Sequence, residues 1–205
     1  MPILFCRAVF FVLLMLPITA TGSSVRQLSM AEVTHNSGFI FSGQVIESHS
    51  RWNDAKSAIN TLITFRIDQT IKGSHDSDEI ILSFLGGQVD QTEHRVAAMR
   101  YPKVGEKGVY FVIDKTKQLA HPLMGWSQGH FKETLVDGQA RMMTANDRPV
   151  GGLSMQAPAF KTGGSLRLSH DIPDGLIFSL SKRGAMSKDD FIKQLVRELQ
   201  PIPAP

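Results

Sequence analysis

Residues 61–71 alternate between apolar and polar side chains, and this alternation constrains the fold more than any other feature. Apolar residues occupy four of the alternate positions on one face: Ile63, Phe65, Ile67 and Ile71. A period of two is typical of a β-strand with one buried face. A polar turn at residues 73–78 and an apolar run at residues 79–85 follow. The sequence therefore predicts an antiparallel strand pair.

Further strands are predicted at residues 39–46, 108–113, 129–136 and 139–144, with weaker candidates at 166–168 and 175–180. Gly43 lies inside the first of these strands and indicates a bulge or a tight bend, as closed barrels need. The run at 108–113 is apolar throughout, so we expect it to be the most buried strand. Asp137-Gly138 predicts a type I′ hairpin. The polar stretches at 47–60 and 86–104 are expected to be loops.

Two helices are predicted. Ser29, with Glu32 three residues later, forms the pattern of a capping box for a short helix over residues 28–36. Ser187 is the expected N-cap of a helix over residues 187–200, with two aspartates in its first turn, where the helix dipole favours anions. Its apolar stripe consists of Phe191, Ile192, Leu195, Val196 and Leu199. We expect this stripe to pack on the chain's own barrel rather than on a partner.

The first twenty residues have the pattern of a secretory signal peptide. Arg7 supplies the positive charge, Ala8 to Leu16 is uninterruptedly apolar, and Ile18-Thr19-Ala20 offers a cleavage site. A transmembrane helix needs about 20 apolar residues, so the run is too short to span a membrane. We predict cleavage near residues 20–24 and export to the periplasm or the medium. The remainder then divides into a barrel domain at 25–145 and a C-terminal extension at 146–205.

Composition excludes several functional classes. Cys6 is the only cysteine and precedes the predicted cleavage site, so the mature chain has neither a disulfide nor a thiolate metal site. The 22 Lys and Arg residues nearly balance the 19 Asp and Glu residues, and no basic cluster stands out. Charge patterning therefore argues against a nucleic-acid or anionic-lipid surface.

The order of these segments can be compared with that of a known protein module. A short helix precedes residues 39–45, a polar loop leads to 64–73, and Pro102-Lys103-Val104-Gly105-Glu106-Lys107-Gly108 precedes the apolar strand. This order resembles the netrin-like module of the tissue inhibitors of metalloproteinases. It also resembles exported bacterial proteins of unassigned function, which carry a Gly-Gly pair, a Gln-Gly-x-Phe segment and a final helix. The resemblance implies a mainly β, OB-like closed barrel of five strands, with a C-terminal extension that ends in a packed helix.

Inhibition of metalloproteinases does not carry over from that family. The inhibitors hold the protease's zinc through an N-terminal cysteine, which this mature chain lacks. The resemblance and the lack of a catalytic constellation favour a non-catalytic binding module for an exported or envelope protein, without metal or cofactor. The candidate binding residues lie in or beside the matching glycine-containing segments: Gly86, Gly87, Trp126, Gln128 and His130. OB barrels also bind single-stranded nucleic acids, but here most phenylalanines lie on predicted core faces.

A serine hydrolase is the alternative. Gly125-Trp126-Ser127-Gln128-Gly129 matches G-x-S-x-G, in which the serine occupies a strained turn between a strand and a helix. Here a predicted strand follows Ser127, and the surrounding chain lacks an alternating βαβ pattern. His130 and His170 are the histidines available downstream as a general base.

One loop combines possible metal ligands. Asp90, Glu93 and His94 form a D-x-x-E-H arrangement, but the inverted zincin motif requires a histidine where Asp90 stands. We therefore expect a solvated polar loop here rather than a metal site.

Overall fold

The computed structural model describes residues 26–97, 99–154 and 172–200. The predicted leader and the weak strand candidate at 166–168 lie outside these ranges. The strands are β1 (Phe39–Trp52), β2 (Ile59–Lys72), β3 (Glu79–Leu85), β4 (Gly87–Val89), β5 (Thr92–His94), β6 (Lys107–Val112), β7 (His130–Val136), β8 (Gln139–Thr144), β9 (Val150–Leu153) and β10 (Leu176–Phe178). The α-helices are α1 (Met30–Asn36) and α2 (Lys188–Leu199), and short 3₁₀ helices span Trp126–Gly129 and Lys182–Gly184.

Six antiparallel strands form the main sheet, in the order β3-β2-β1-β6-β7-β8. Two small two-stranded sheets, β4-β5 and β9-β10, lie outside it. The expectation of a mainly β protein with a short N-terminal helix and a C-terminal helix is confirmed. Within the described residues β3 and β8 do not pair with one another. The closed, OB-like barrel therefore stays a prediction, and the sheet has six strands where the resemblance implied five.

Strand β1 lies at the centre of the main sheet, and the side chains of its first part, from Phe39 to Gly43, are buried on both faces. Phe39 and Phe41 belong to one hydrophobic cluster, formed with β2, β3 and β6. Ile40, between them, belongs to a second cluster, formed with β6, β7, β8 and both α-helices. This alternation follows from the period of two in a strand. Strand β6 is buried at five of its six positions, as its apolar sequence predicted.

Gly43 lies at an irregularity of the β1–β2 ladder, as predicted. The register shifts between Ser42 and Gly43, and twice more along the same pair of strands. A Cβ atom at Gly43 would overlap the carbonyl oxygen of Arg66 on the neighbouring strand. Glycine therefore permits the close approach of the two backbones at this bulge.

The prediction of a loop at residues 47–60 is wrong for most of that stretch. Strand β1 continues to Trp52 and β2 begins at Ile59, so only a short turn joins them. The polar residues here pair with the first half of β2, with Ser48 opposite Ile63 and Ser50 opposite Thr61, and that half of β2 also pairs with β3. Ladder hydrogen bonds to β2 therefore stabilise the polar end of β1, although its own side chains from Glu47 to Arg51 are exposed or half-buried. The loop predicted at 86–104 likewise contains the β4-β5 hairpin.

Helix α2 packs against β8 and β9 and contacts α1. Ser187 caps it, as predicted, and its hydroxyl accepts a hydrogen bond from the backbone N–H of Asp190. Phe191, Ile192 and Leu195 are buried, whereas Val196 is 36% exposed. The predicted stripe was therefore one residue too wide on that side. No α-helix in the described part of the chain is long and apolar enough to cross a bilayer.

Candidate binding cleft

A row of aromatic rings crosses three strands and ends at His130. Register places Phe41 opposite Tyr110 across β1 and β6, and Tyr110 opposite His130 across β6 and β7. The ring centroids of Phe41 and Tyr110 are 5.3 Å apart, and those of Tyr110 and His130 are 5.4 Å apart with planes inclined by 26°. Pairing of opposite residues thus holds the imidazole of His130 against the phenol of Tyr110.

Glu106 meets His130 at the end of this row. Two backbone hydrogen bonds fix the loop before β6, from Gly105 N–H to Val45 O (2.8 Å) and from Val45 N–H to Glu106 O (2.9 Å). Oε1 of Glu106 lies 2.5 Å from Nε2 of His130. A carboxylate only accepts hydrogen bonds, so Nε2 donates. The side chains are 14% exposed for Glu106 and 4% exposed for His130, which leaves the pair largely shielded from water.

The phenol of Tyr110 borders the same carboxylate. Its hydroxyl lies 3.4 Å from Oε1 of Glu106. Burial, and then the negative charge of Glu106, raises the pKa of Tyr110 well above its ordinary value. Tyr110 therefore remains a neutral phenol and a hydrogen-bond donor at physiological pH.

The second ring nitrogen of His130 lacks a hydrogen-bond partner. Nδ1 is buried, and no group in the described ranges bonds to it. A buried polar atom without a partner destabilises a fold by about 1–3 kcal/mol. Such atoms are rare in native proteins and each calls for an explanation. Because this nitrogen is closed to solvent, a ligand reaches it only if the side chain moves.

A cleft of about 470 Å³ opens above the pair. We name it the Glu106 cleft; its lining residues are Ser48, Arg100, Tyr101, Pro102, Lys103, Val104, Glu106, His130, Lys132, Ala145 and Asp147. Lys132 forms an ion pair with Asp147 at 3.0 Å. Arg100 and Lys103 form no ion pair with any described residue, so the rim of the cleft carries two cations that are free to meet an anionic group.

His121 is the other buried histidine among the residues that the structure describes. Its ring stacks on Trp126 at 5.5 Å, with the planes 8° apart, and meets the edge of Phe84 at 5.1 Å. Its Nδ1 accepts a hydrogen bond of 3.2 Å from the backbone N–H of Leu123. Burial, and then the charge of nearby His130, lowers the pKa of His121 to about 3. His121 is therefore a neutral core residue under Trp126.

Of the five candidate binding residues, only His130 lines the Glu106 cleft. Gly86 and Gly87 have positive φ angles, and a Cβ atom at Gly87 would overlap the hydroxyls of Ser50 and Thr61. These glycines therefore serve a close packing of backbone and side chains.

The remaining two candidates are engaged with the core. Gln128 is fully buried; its Oε1 accepts from Leu28 N–H at 2.7 Å, and its Nε2 donates to Arg26 O at 2.9 Å. These bonds hold the segment that precedes α1. The indole ring of Trp126 stacks on the imidazole ring of His121.

Ser127 does not occupy a nucleophile elbow. It lies in the 3₁₀ helix Trp126–Gly129, which leads directly into a strand rather than an α-helix. Nε2 of His130 bonds Glu106, Nδ1 of His121 bonds Leu123, and the other nitrogen of each ring has no partner in the described ranges. Neither histidine therefore bonds to Ser127. His170 lies outside the described residues.

Two of the three possible metal ligands in the β4-β5 hairpin are engaged elsewhere. Glu93 forms an ion pair with Arg95 at 2.6 Å, and Nδ1 of His94 accepts from the backbone N–H of Ile59 at 3.2 Å. Over residues 26–97, 99–154 and 172–200, no group of three or more metal-ligating side chains comes together.

Sequence reasoning missed Glu106, Tyr110, Lys132 and the two rim cations. Tyr110 and Lys132 were counted only as strand residues, and Glu106 only as part of a glycine-containing pattern. A signal for Tyr110 was present, because two predicted neighbouring strands in the right register place it beside His130. Glu106 has no such signal, because its position depends on how its loop bonds to β1.

No family model, no curated protein and no solved structure matches this chain. The netrin-like resemblance therefore stays a prediction, and the functional argument rests on the geometry of the cleft.

Proposed function

We propose that the mature chain is an exported, non-catalytic binding module with an OB-like, netrin-type fold, and that its ligand is an exported or envelope protein that occupies the Glu106 cleft. The observation that carries this proposal is the buried pair of His130 and Glu106 at the floor of an open cleft. Export is supported by the pattern of residues 1–20.

The energetic cost of burying His130 and Glu106 supports a functional role for this pair. Burying two ionisable groups is often no more stabilising than packing apolar side chains in the same space. An unpartnered Nδ1 adds a further penalty. Concave sites with a few converging polar groups are where proteins bind ligands. The arrangement is therefore better explained by recognition than by stability.

Binding is favoured over catalysis because no activated nucleophile faces the cleft. Ser48 and Tyr101 are the lining residues with hydroxyl groups. The hydroxyl of Tyr101 donates to the backbone oxygen of Leu85 at 2.7 Å, and no bond joins Ser48 to His130. A hydroxyl nucleophile needs an adjacent base to accept its proton. The cations Arg100 and Lys103 instead suit an acidic group on the partner.

Site-specific photo-crosslinking in cells that make the protein tests this proposal. One crosslinking residue replaces Val104, which is 60% exposed and lines the cleft, and a control replaces Leu135, which is 76% exposed and lies outside it. We expect a crosslinked partner from position 104 alone. His130→Phe retains an aromatic ring beside Tyr110 but removes both nitrogens, so it should abolish the crosslink. Equal crosslinking from both positions, or a crosslink that survives His130→Phe, contradicts the proposal.

A further inference from the structure

Strand β3 is an edge strand, and its outward backbone groups are not all satisfied. The N–H of Leu85 donates to Ala120 O at 2.9 Å, away from β2, so Leu85 points its backbone groups outward. In an antiparallel strand, every second residue directs its backbone N–H and C=O groups to the same side. With no register shift between β2 and β3, Glu79, Ile81 and Ser83 also direct their N–H and C=O groups to the edge.

Both ends of this edge are capped. The N–H of Glu79 donates to Oγ of Ser77 at 3.2 Å, and its carbonyl oxygen contacts Nε2 of His75 at 2.9 Å. At the other end, the carbonyl oxygen of Leu85 accepts from the hydroxyl of Tyr101 at 2.7 Å. Strand addition along the whole edge is therefore blocked.

The middle of the edge is open. The N–H and C=O groups of Ile81 and Ser83 have no hydrogen-bond partner in the described part of the chain, and we name these four groups the β3 window. Ile81 and Ser83 line a cleft of about 320 Å³, together with Arg51 of β1, Asn60 and Leu62 of β2, and residues 114–118. Ile81 is 62% exposed beside it.

We propose that the β3 window binds a short extended peptide segment of a protein partner by β-strand addition. Two outward residues, two positions apart along the strand, offer two donors and two acceptors at the spacing of a β-ladder. An extended peptide satisfies all four groups with four backbone hydrogen bonds. The caps at Glu79 and Leu85 restrict the added strand to about three or four residues, since each strand residue spans about 3.4 Å.

Side chains around the window set a preference for the peptide. The exposed face of Ile81 offers an apolar contact to one peptide side chain. The cleft is lined by three cationic side chains (Arg51, Lys115 and Lys117) and two anionic ones (Asp54 and Asp114). This excess of one positive charge favours a peptide with an acidic residue over a basic one. The cleft shares no lining residue with the Glu106 cleft, so the two sites are tested separately.

Selection from a phage-displayed library of random heptapeptides tests the proposal on the full mature chain. Ser83→Pro removes one donor of the window and fills it with a ring, without removing a hydrogen bond to β2. Ser83→Ala leaves the backbone intact and is the matched control. We expect selected peptides to bind the wild type and Ser83→Ala equally, and to bind Ser83→Pro at least about tenfold more weakly.

Amide hydrogen exchange on the wild-type protein tests the proposal independently. The amides of Ile81 and Ser83 should exchange rapidly in the free protein and become protected when a selected peptide is added, while that of Leu82, which faces β2, is protected throughout. Failure to select any peptide, equal binding to Ser83→Pro, or protection of both amides in the free protein overturns the proposal. Protection that rises with protein concentration alone would identify a second copy as the occupant and would also overturn it.

Discussion

Replacing Phe191 with alanine tests whether α2 is an integral part of the fold. Phe191 is fully buried, and its ring centroid lies 4.9 Å from that of Phe131 on β7. Two polar contacts of α2 add to this apolar contact. The backbone N–H of Leu153 donates to Oε1 of Gln194 at 2.9 Å, and Nζ of Lys188 lies 3.0 Å from Oε1 of Glu133. The apolar contact should dominate, because the attraction within this largely buried ion pair is offset by the cost of removing both charges from water.

The expected loss of stability follows from this burial. Truncating a buried phenylalanine to alanine lowers the free energy of unfolding by about 3–5 kcal/mol. With a urea m-value of about 2 kcal/mol/M, the midpoint of urea denaturation should fall by about 2 M. Val196→Ala, on the exposed side of the same helix, is the control and should change the free energy by about 0.5 kcal/mol or less.

Urea denaturation followed by circular dichroism measures both variants. Equal midpoints for Phe191→Ala, Val196→Ala and the wild type would refute the reasoning, because α2 would then be a segment available to a partner. An unchanged m-value is needed for the comparison, since it shows that the unfolding reaction itself is the same.

Three further predictions concern the core, the response to pH and the N-terminus. Phe111 is fully buried against Phe131, so Phe111→Ala should lower the free energy of unfolding by about 3–5 kcal/mol; an unchanged denaturation midpoint would show that β6 is not core. The pKa of His121 is lowered from 6.5 to about 3, so the unfolded state binds one more proton between these values, and stability should fall as pH decreases through this window. The slope from this residue is at most about 1.4 kcal/mol per pH unit; denaturation at pH 6.5 and 5 should show it in the wild type, and its persistence in His121→Phe would assign it to another group. Intact-mass measurement of exported protein should give a chain that begins near Thr21 without an acyl group, and a mass that retains residues 1–20 would contradict the signal peptide.

Local signals in the sequence predicted several elements correctly. The Asp137-Gly138 hairpin has both residues at positive φ, 51° and 76°, as a type I′ turn requires. The Ser29–Glu32 capping box forms in full. Such features depend on residues within a few positions of one another, so they are visible without knowledge of the fold.

The length of β1 and the exposure of Val196 were predicted less well. The polar end of β1 carries no apolar alternation, and it is a strand because β2 lies beside it. Val196 fits the apolar period of α2, but the surface on which the helix lies does not extend far enough to cover it. In both cases a distant part of the chain determines the state of the residue.

The sequence by itself determined the mainly β character, most strand and helix positions, the bulge at Gly43 and the absence of cysteine from the predicted mature chain. It also included His130 among the candidate binding residues. The tertiary structure alone placed Glu106 beside His130, since that contact spans 24 positions and depends on the register of β6 with β7 and on the bonds of the Glu106 loop to β1. It also left the β3 window open, because the strand order makes β3 an edge strand, and no local pattern of residues encodes which strand lies at an edge.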